Sequence, residues 1–213
     1  MSPDDQSPSI EVPPDIQPQV DGVQGGVFYL NYVDIIDLER VKFIMNVCAT
    51  IMENVKPDTL YFLFSSSGGD VDSGIALYNF LKALPAKIVM HNIGSINSIA
   101  NVIFLAGEER YASKHTSFLF HGVKWTTSQP LEISLNQLLE LKSQLDISQE
   151  KIAGIVCENT SIKKKEISEL FMEGKSEGID FALAKGIIHE EKSAEIPSDS
   201  RFLSLNFTLS SNR

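Results

Sequence analysis

Acyl transfer needs an alcohol or thiol nucleophile, a base to take its proton and N–H donors aimed at the oxyanion that develops. Three short stretches of this chain carry residues of those kinds. Ser98 follows Gly94-Ser95-Ile96-Asn97 at the start of an apolar helical run, where unpaired N–H groups favour negative charge. His121 stands at the end of the apolar stretch Ser117-Phe118-Leu119-Phe120. Gly68-Gly69 closes a serine-rich turn, and paired glycines let the backbone take positive φ and bring bare N–H groups against a bound atom. In this arrangement Ser98 is the nucleophile, His121 the base, and the amides of Gly69 and Ile99 the oxyanion donors. Each residue also has an ordinary reading: a serine at a helix start is usually an N-cap, a strand-end histidine is usually structural, and Gly-Gly is usually a turn. His91, His115 and His189 lack metal-ligand spacing, so no metal and no cofactor is expected.

The elements that must position these residues follow from hydrophobic period. Val27-Phe28-Tyr29-Leu30 reads as a strand. Next comes an amphipathic helix with Ile36, Val41, Ile44, Cys48, Ile51 and Val55 on one face, capped by Asp34 or Asp37 and ended by Pro57. Residues 60–64, Leu-Tyr-Phe-Leu-Phe, form an apolar run of the kind found in buried parallel strands. A turn at 65–69 and a helix over 72–84 follow. Residues 87–90 predict a further strand, 92–96 a turn and 98–106 a helix; strand, turn and helix repeated in this way imply βαβ units and a parallel sheet. Both glycine- and serine-bearing turns therefore lie at the carboxyl ends of parallel strands, the edge where α/β sheets bind ligands.

Two short strands over 109–112 and 117–120 lead to His121. Residues 130–157 carry the longest helical pattern, with Leu131, Leu135, Leu138, Leu145, Ile152 and Val156 in a stripe near heptad spacing. That helix is either a core element or an arm that packs on the same arm of another subunit. Short helices over 163–171 and 179–185 and a polar tail from 191 complete the chain. Residues 1–26 hold five prolines, several acids and few apolar side chains, the composition of a mobile segment.

Composition excludes several classes. The 213 residues suffice for one buried α/β core, and 43% hydrophobic content fits a globular domain. A net charge of −10 argues against a binder of nucleic acid or anionic membranes; the basic run Lys163-Lys164-Lys165 reads as a solvated helix face. No stretch approaches the roughly 18 apolar residues of a membrane span, and no secretory signal is visible. The two cysteines, Cys48 and Cys157, sit in apolar helical patterns and read as thiols of a reducing compartment, so the expected location is the cytoplasm.

Taken in order, the motifs resemble those of the Clp protease proteolytic subunit family. Residues 60–80, LYFLFSSSGGDVDSGIALYNF, resemble that family's apolar strand running into S-P-G-G and the helix after it. Residues 94–107, GSINSIANVIFLAG, resemble its nucleophile segment, with glycine four residues before the serine. Residues 117–121, SFLFH, resemble its strand ending in the catalytic histidine, and 182–188, ALAKGII, the segment closing its catalytic domain. The resemblance implies a crotonase/Clp-like fold of repeated ββα units, with a mostly parallel sheet and a protruding handle helix at about 130–157. The catalytic domain is 27–190, flanked by the segment 1–26 and a tail over 191–213. It implies a serine endopeptidase that works through an acyl-enzyme, with Ser98, His121, Gly69 and Ile99 in the roles given above. The implied partners are copies of itself in a heptameric ring or stacked double ring, a separate AAA+ ATPase, paralogous subunits and polypeptide substrates.

The chain also departs from the family pattern. Ser67 replaces the proline of S-P-G-G, Asn97 replaces a small residue, and Gly122-Val123 replaces the usual glutamine and proline. The family's triad aspartate falls on Gly174, which has no side chain. Glu173, its neighbour, is the acid assigned to the triad; Glu169 one turn earlier is the alternative, and a site without an acid is the third case. Two other functions follow as alternatives: a catalytically weak or inactive scaffold subunit of a mixed ring, and an acyl-CoA enzyme of the related crotonase class. The last leaves the Ser98–His121 pairing without a role.

Overall fold

The computed structural model describes residues 25–125 and 132–207. Most of the 1–26 segment therefore lies outside the described residues, as do Pro130 and Leu131.

The first strand, β1 (Val27–Val33), lies parallel to β2 (Thr59–Ser66), with Leu30 opposite Phe62. Between them runs α1 (Leu38–Asn54), capped by Asp37, which accepts from the Arg40 amide; Val41, Ile44, Val47, Cys48 and Ile51 are buried. Asp34, the other expected cap, is instead ion-paired with Arg40 at 2.7 Å. The helix α2 (Val71–Ala83) is capped by Asp70 and leads to β3 (Lys87–Asn97).

β3 is longer than expected, because the stretch read as a turn at 92–96 continues the strand. Its first half pairs with β4 (Glu109–Ala112) and its second half with β5 (Ser117–Leu119). A register irregularity against β2 between Phe64 and Ser66 marks the change of partner. The short helix α3 (Ala100–Phe104) begins two residues later than the helix expected from Ser98 and is wholly buried.

The long helix α4 (Leu135–Asn159) opens on a capping box formed by Ser134 and Gln137. Ile152, Ala153 and Val156 are buried against the core, whereas Leu135, Leu138, Leu139 and Ile147 are at least half exposed. The carboxyl-terminal third thus belongs to the core, whereas Leu135 and Leu138 of the apolar stripe stand exposed and Leu145 is half-buried. Two more helices follow, α5 (Lys164–Glu173) and α6 (Ile179–Ala184), separated by β6 (Ser176–Glu177). The tail contributes β7 (Glu190–Glu191), beside β4, and β8 (Arg201–Ser204), which adds to the outer edge of β1. The eight strands of the described residues form one sheet with a β6-β5-β3-β2-β1-β8 path, parallel throughout except for the β5–β6 pair. This is the mostly parallel α/β architecture expected from the sequence. Among the described residues, no helix is long and apolar enough to cross a membrane.

Candidate active site

The turn after β2 lies hard against the loop between β1 and α1. The Ile36 amide donates to Gly68 O at 2.9 Å, and the Asp70 amide donates to Ile36 O at 2.8 Å. A Cβ on Gly69 would stand 1.9 Å from Ile36 O, so no side chain fits there. Gly68, at φ +88°, lies close against the Ser98 turn as well: a Cβ there would lie 2.7 Å from Ser98 Cβ and 2.6 Å from Asn97 O. The glycine pair is thus required by two close backbone approaches, and one of them is to Ser98.

Ser98 is not in the first turn of a helix. It has φ +57°, in the left-handed region that costs an L-residue roughly 1–2 kcal/mol, and α3 starts after it with Ile99 as cap. Long-range contacts hold this conformation. The Ser98 amide donates to Leu119 O at 2.8 Å, and Asn101 Nδ2 donates both to Ser98 O at 3.0 Å and to Leu119 O at 2.9 Å. Asn101 therefore braces the serine turn against the strand that carries His121, a role the sequence analysis missed. A buried asparagine inside the apolar run Ile99-Ala100-Asn101-Val102-Ile103 was the available signal. Neither the Gly69 nor the Ile99 amide donates a hydrogen bond within the described residues. Unpaired donors are what an oxyanion site requires.

Ser98 and His121 line one cleft of about 280 Å³. Ser67, Gly69 and Lys124 share its rim, and Val71, Phe120, Val123, Ile152 and Phe171 supply apolar walls. Ser98 Oγ makes no hydrogen bond among the described residues, so the pair meets in one cleft without a direct bond between them. His121 Nδ1 bonds to Gly122 O at 2.8 Å.

The position expected for the acid is also resolved. β5 and β6 pair antiparallel, Phe118 with Glu177 and Leu119 with Ser176. Continuing that register sets residue 174 opposite His121. A Cβ on Gly174 would stand 3.9 Å from His121 Cβ with no other neighbour within 4 Å, so the slot beside the histidine is real and has no side chain in it. Gly174 itself ends α5 in the left-handed conformation. Neither Glu173 nor Glu169 bonds the imidazole: Glu173 is exposed, and Glu169 lies 3.8 Å from Lys165. Among the described residues no cluster of His, Cys, Asp or Glu could hold a metal ion.

Comparison with known proteins agrees with this architecture. The chain is 26% identical over 153 residues to the ATP-dependent Clp protease proteolytic subunit 2 of Pseudomonas aeruginosa, covering 69% of this chain and 74% of that protein. It is 31% identical over 93 residues to the subunit of the same name from Borreliella burgdorferi, covering 41% of this chain and 46% of that one. A solved structure of a mutant ClpP1 from Listeria monocytogenes superposes with a TM-score of 0.65 at 18% identity, over 80% of this chain and 92% of that chain. The family model for Clp protease matches residues 35–191, a span that holds the glycine turn, Ser98, His121 and the slot at Gly174. This chain belongs to the Clp protease family.

Proposed function

We infer that the protein is a serine peptidase subunit that hydrolyses polypeptides through an acyl-enzyme. The observation that carries this reading is the convergence of Ser98, His121 and Gly69 on one cleft, with the Gly69 and Ile99 amides free to donate. Ser98 Oγ attacks the scissile carbonyl while His121 takes its proton. The carbonyl electron pair moves onto oxygen, where the two amides stabilise it. The same proton then passes to the amine as the C–N bond breaks, and water repeats the sequence on the ester. A gap between hydroxyl and imidazole in the free enzyme is compatible with this chemistry, because such bonds often tighten only once substrate is bound.

The family supports assembly into rings, for which the exposed part of the apolar stripe on α4 is a fitting contact. A heptameric single or stacked double ring, feeding by a separate AAA+ ATPase, and a cytoplasmic location belong to the same proposal. A fluorophosphonate probe tests it: the assembled protein labels at Ser98, and Ser98→Ala and His121→Ala abolish labelling. An assembled protein that stays unlabelled refutes it.

One observation favours a second reading, in which the chain is a scaffold subunit of a mixed ring: the acid position holds Gly174, and among the described residues no carboxylate bonds His121. Peptide hydrolysis by the isolated homo-oligomer excludes that reading.

A further inference from the structure

His121 is held by a group that bears no charge. Its Nδ1 is 2.8 Å from the carbonyl oxygen of Gly122, and this is the only hydrogen bond the imidazole makes among the described residues. A carbonyl oxygen has only lone pairs to offer, so the proton of this bond sits on Nδ1. A neutral imidazole carries one N–H, which leaves Nε2 with a free lone pair. The residue that carries the acceptor is anchored through its preceding peptide: the Gly122 amide donates to Phe171 O at 3.0 Å, which ties Gly122 to the last turn of α5. The nearby carboxylates are engaged elsewhere or turned to solvent: Glu177 is 3.4 Å from Lys175, Glu169 is 3.8 Å from Lys165, and Glu173 is exposed.

We propose that the backbone carbonyl of Gly122 is the positioning group of this site, holding His121 as the Nδ1–H tautomer with Nε2 as the base, in place of a triad carboxylate. The proposal rests on the peptidase reading for its purpose, and its geometry is independent of that reading. During acylation the serine proton moves to Nε2 while the Nδ1–H bond to Gly122 persists; on collapse of the tetrahedral intermediate Nε2 returns the proton to the leaving amine. A neutral acceptor fixes the tautomer but adds no negative charge beside the imidazolium. The site therefore works with correct orientation and weaker electrostatic support than a carboxylate supplies.

The test uses the full-length assembled protein labelled with ¹⁵N-histidine and observed by solid-state NMR at mildly alkaline pH. The His121 signals are identified by their loss in His121→Gln. A protonated Nδ1 and an unprotonated Nε2 are expected. A backbone ester at the Gly122–Val123 linkage weakens that one carbonyl as acceptor and leaves every side chain in place. It should mix the two tautomers and slow fluorophosphonate acylation about tenfold, the effect of losing about 1.4 kcal/mol. A predominant Nε2–H tautomer in the unaltered protein overturns the proposal, as does an ester variant with unchanged tautomer and rate. The Nδ1–H tautomer in a protein whose Ser98 never labels upholds the hydrogen bond and refutes the peptidase reading instead.

Discussion

Replacing Gly174 with aspartate should turn the empty slot beside His121 into a working third triad member. The β5–β6 register sets residue 174 opposite the histidine, and a Cβ built there stands 3.9 Å from His121 Cβ with open space around it. A carboxylate one bond further out is thus placed to meet the imidazole. The backbone there is left-handed, φ +59°, a region that aspartate and asparagine tolerate better than other L-residues, so the cost to stability is about 1 kcal/mol. The gain is bounded on two sides. Loss of the acid from a complete triad costs about 10⁴ in turnover, a figure dominated by the wrong histidine tautomer. Here the Gly122 carbonyl already fixes the tautomer. What the new acid adds is the difference between a charged and a neutral acceptor, about 1–2 kcal/mol, or roughly 5- to 30-fold. The assay is the second-order rate of fluorophosphonate acylation of Ser98, with fluorogenic peptide hydrolysis alongside. Gly174→Asn serves as the isosteric neutral control and should gain little. The negative charge should also move the acid limb of the pH–rate profile of Gly174→Asp to higher pH than that of Gly174→Asn. A folded, assembled Gly174→Asp protein no faster than Gly174→Asn would refute the reasoning.

Two further outcomes follow from buried groups outside the cleft. His91 is fully buried, bonded to Tyr61 Oη at 2.7 Å and to Ser113 Oγ at 3.0 Å, and burial pushes its conjugate acid down to about 4. The unfolded chain takes up this proton near pH 6.5 and the folded one only near 4, so stability is full above about 6.5 and falls as the pH drops through that window. Urea midpoints should show about 2 kcal/mol lost between pH 7.5 and pH 5, and His91→Gln should lose less; an equal loss in both proteins would show that other groups carry the effect. Arg110 is buried and donates to the carbonyls of Gly107, Asn159, Gly186 and Ile187, tying the end of α4 and the loop after α6 to the sheet. Arg110→Met leaves those carbonyls without their donor and should cost about 3 kcal/mol or more in chemical denaturation, where a cost below about 1 kcal/mol would mean that water replaces the guanidinium freely.

Local pattern was enough for several of the elements and for choosing the candidate side chains of the cleft. Hydrophobic period and turn residues placed α1, β2 and α2 near their observed ends, and the close of α4, whose start at Leu135 lies five residues beyond the expected one. The Gly68-Gly69 pair, Ser98 and His121 stood out because few residue types can do what acyl transfer demands. Only the tertiary structure decided how those residues are held. Ser98 adopts a left-handed backbone because its amide and the Asn101 side chain both bond Leu119 O, a partner on another strand. The stretch at 92–96 is strand rather than turn because β5 supplies its second half with a ladder. Residues 201–204, Arg-Phe-Leu-Ser inside a stretch read as a polar tail, become β8 because the edge of β1 offers unpaired backbone groups. Motif spacing pointed to Gly174, but β-sheet register is what sets it beside His121. The Gly122 carbonyl bears on His121 through a backbone oxygen that leaves no mark on residue type, since sequence encodes what a side chain can do and the fold decides what comes within reach of it.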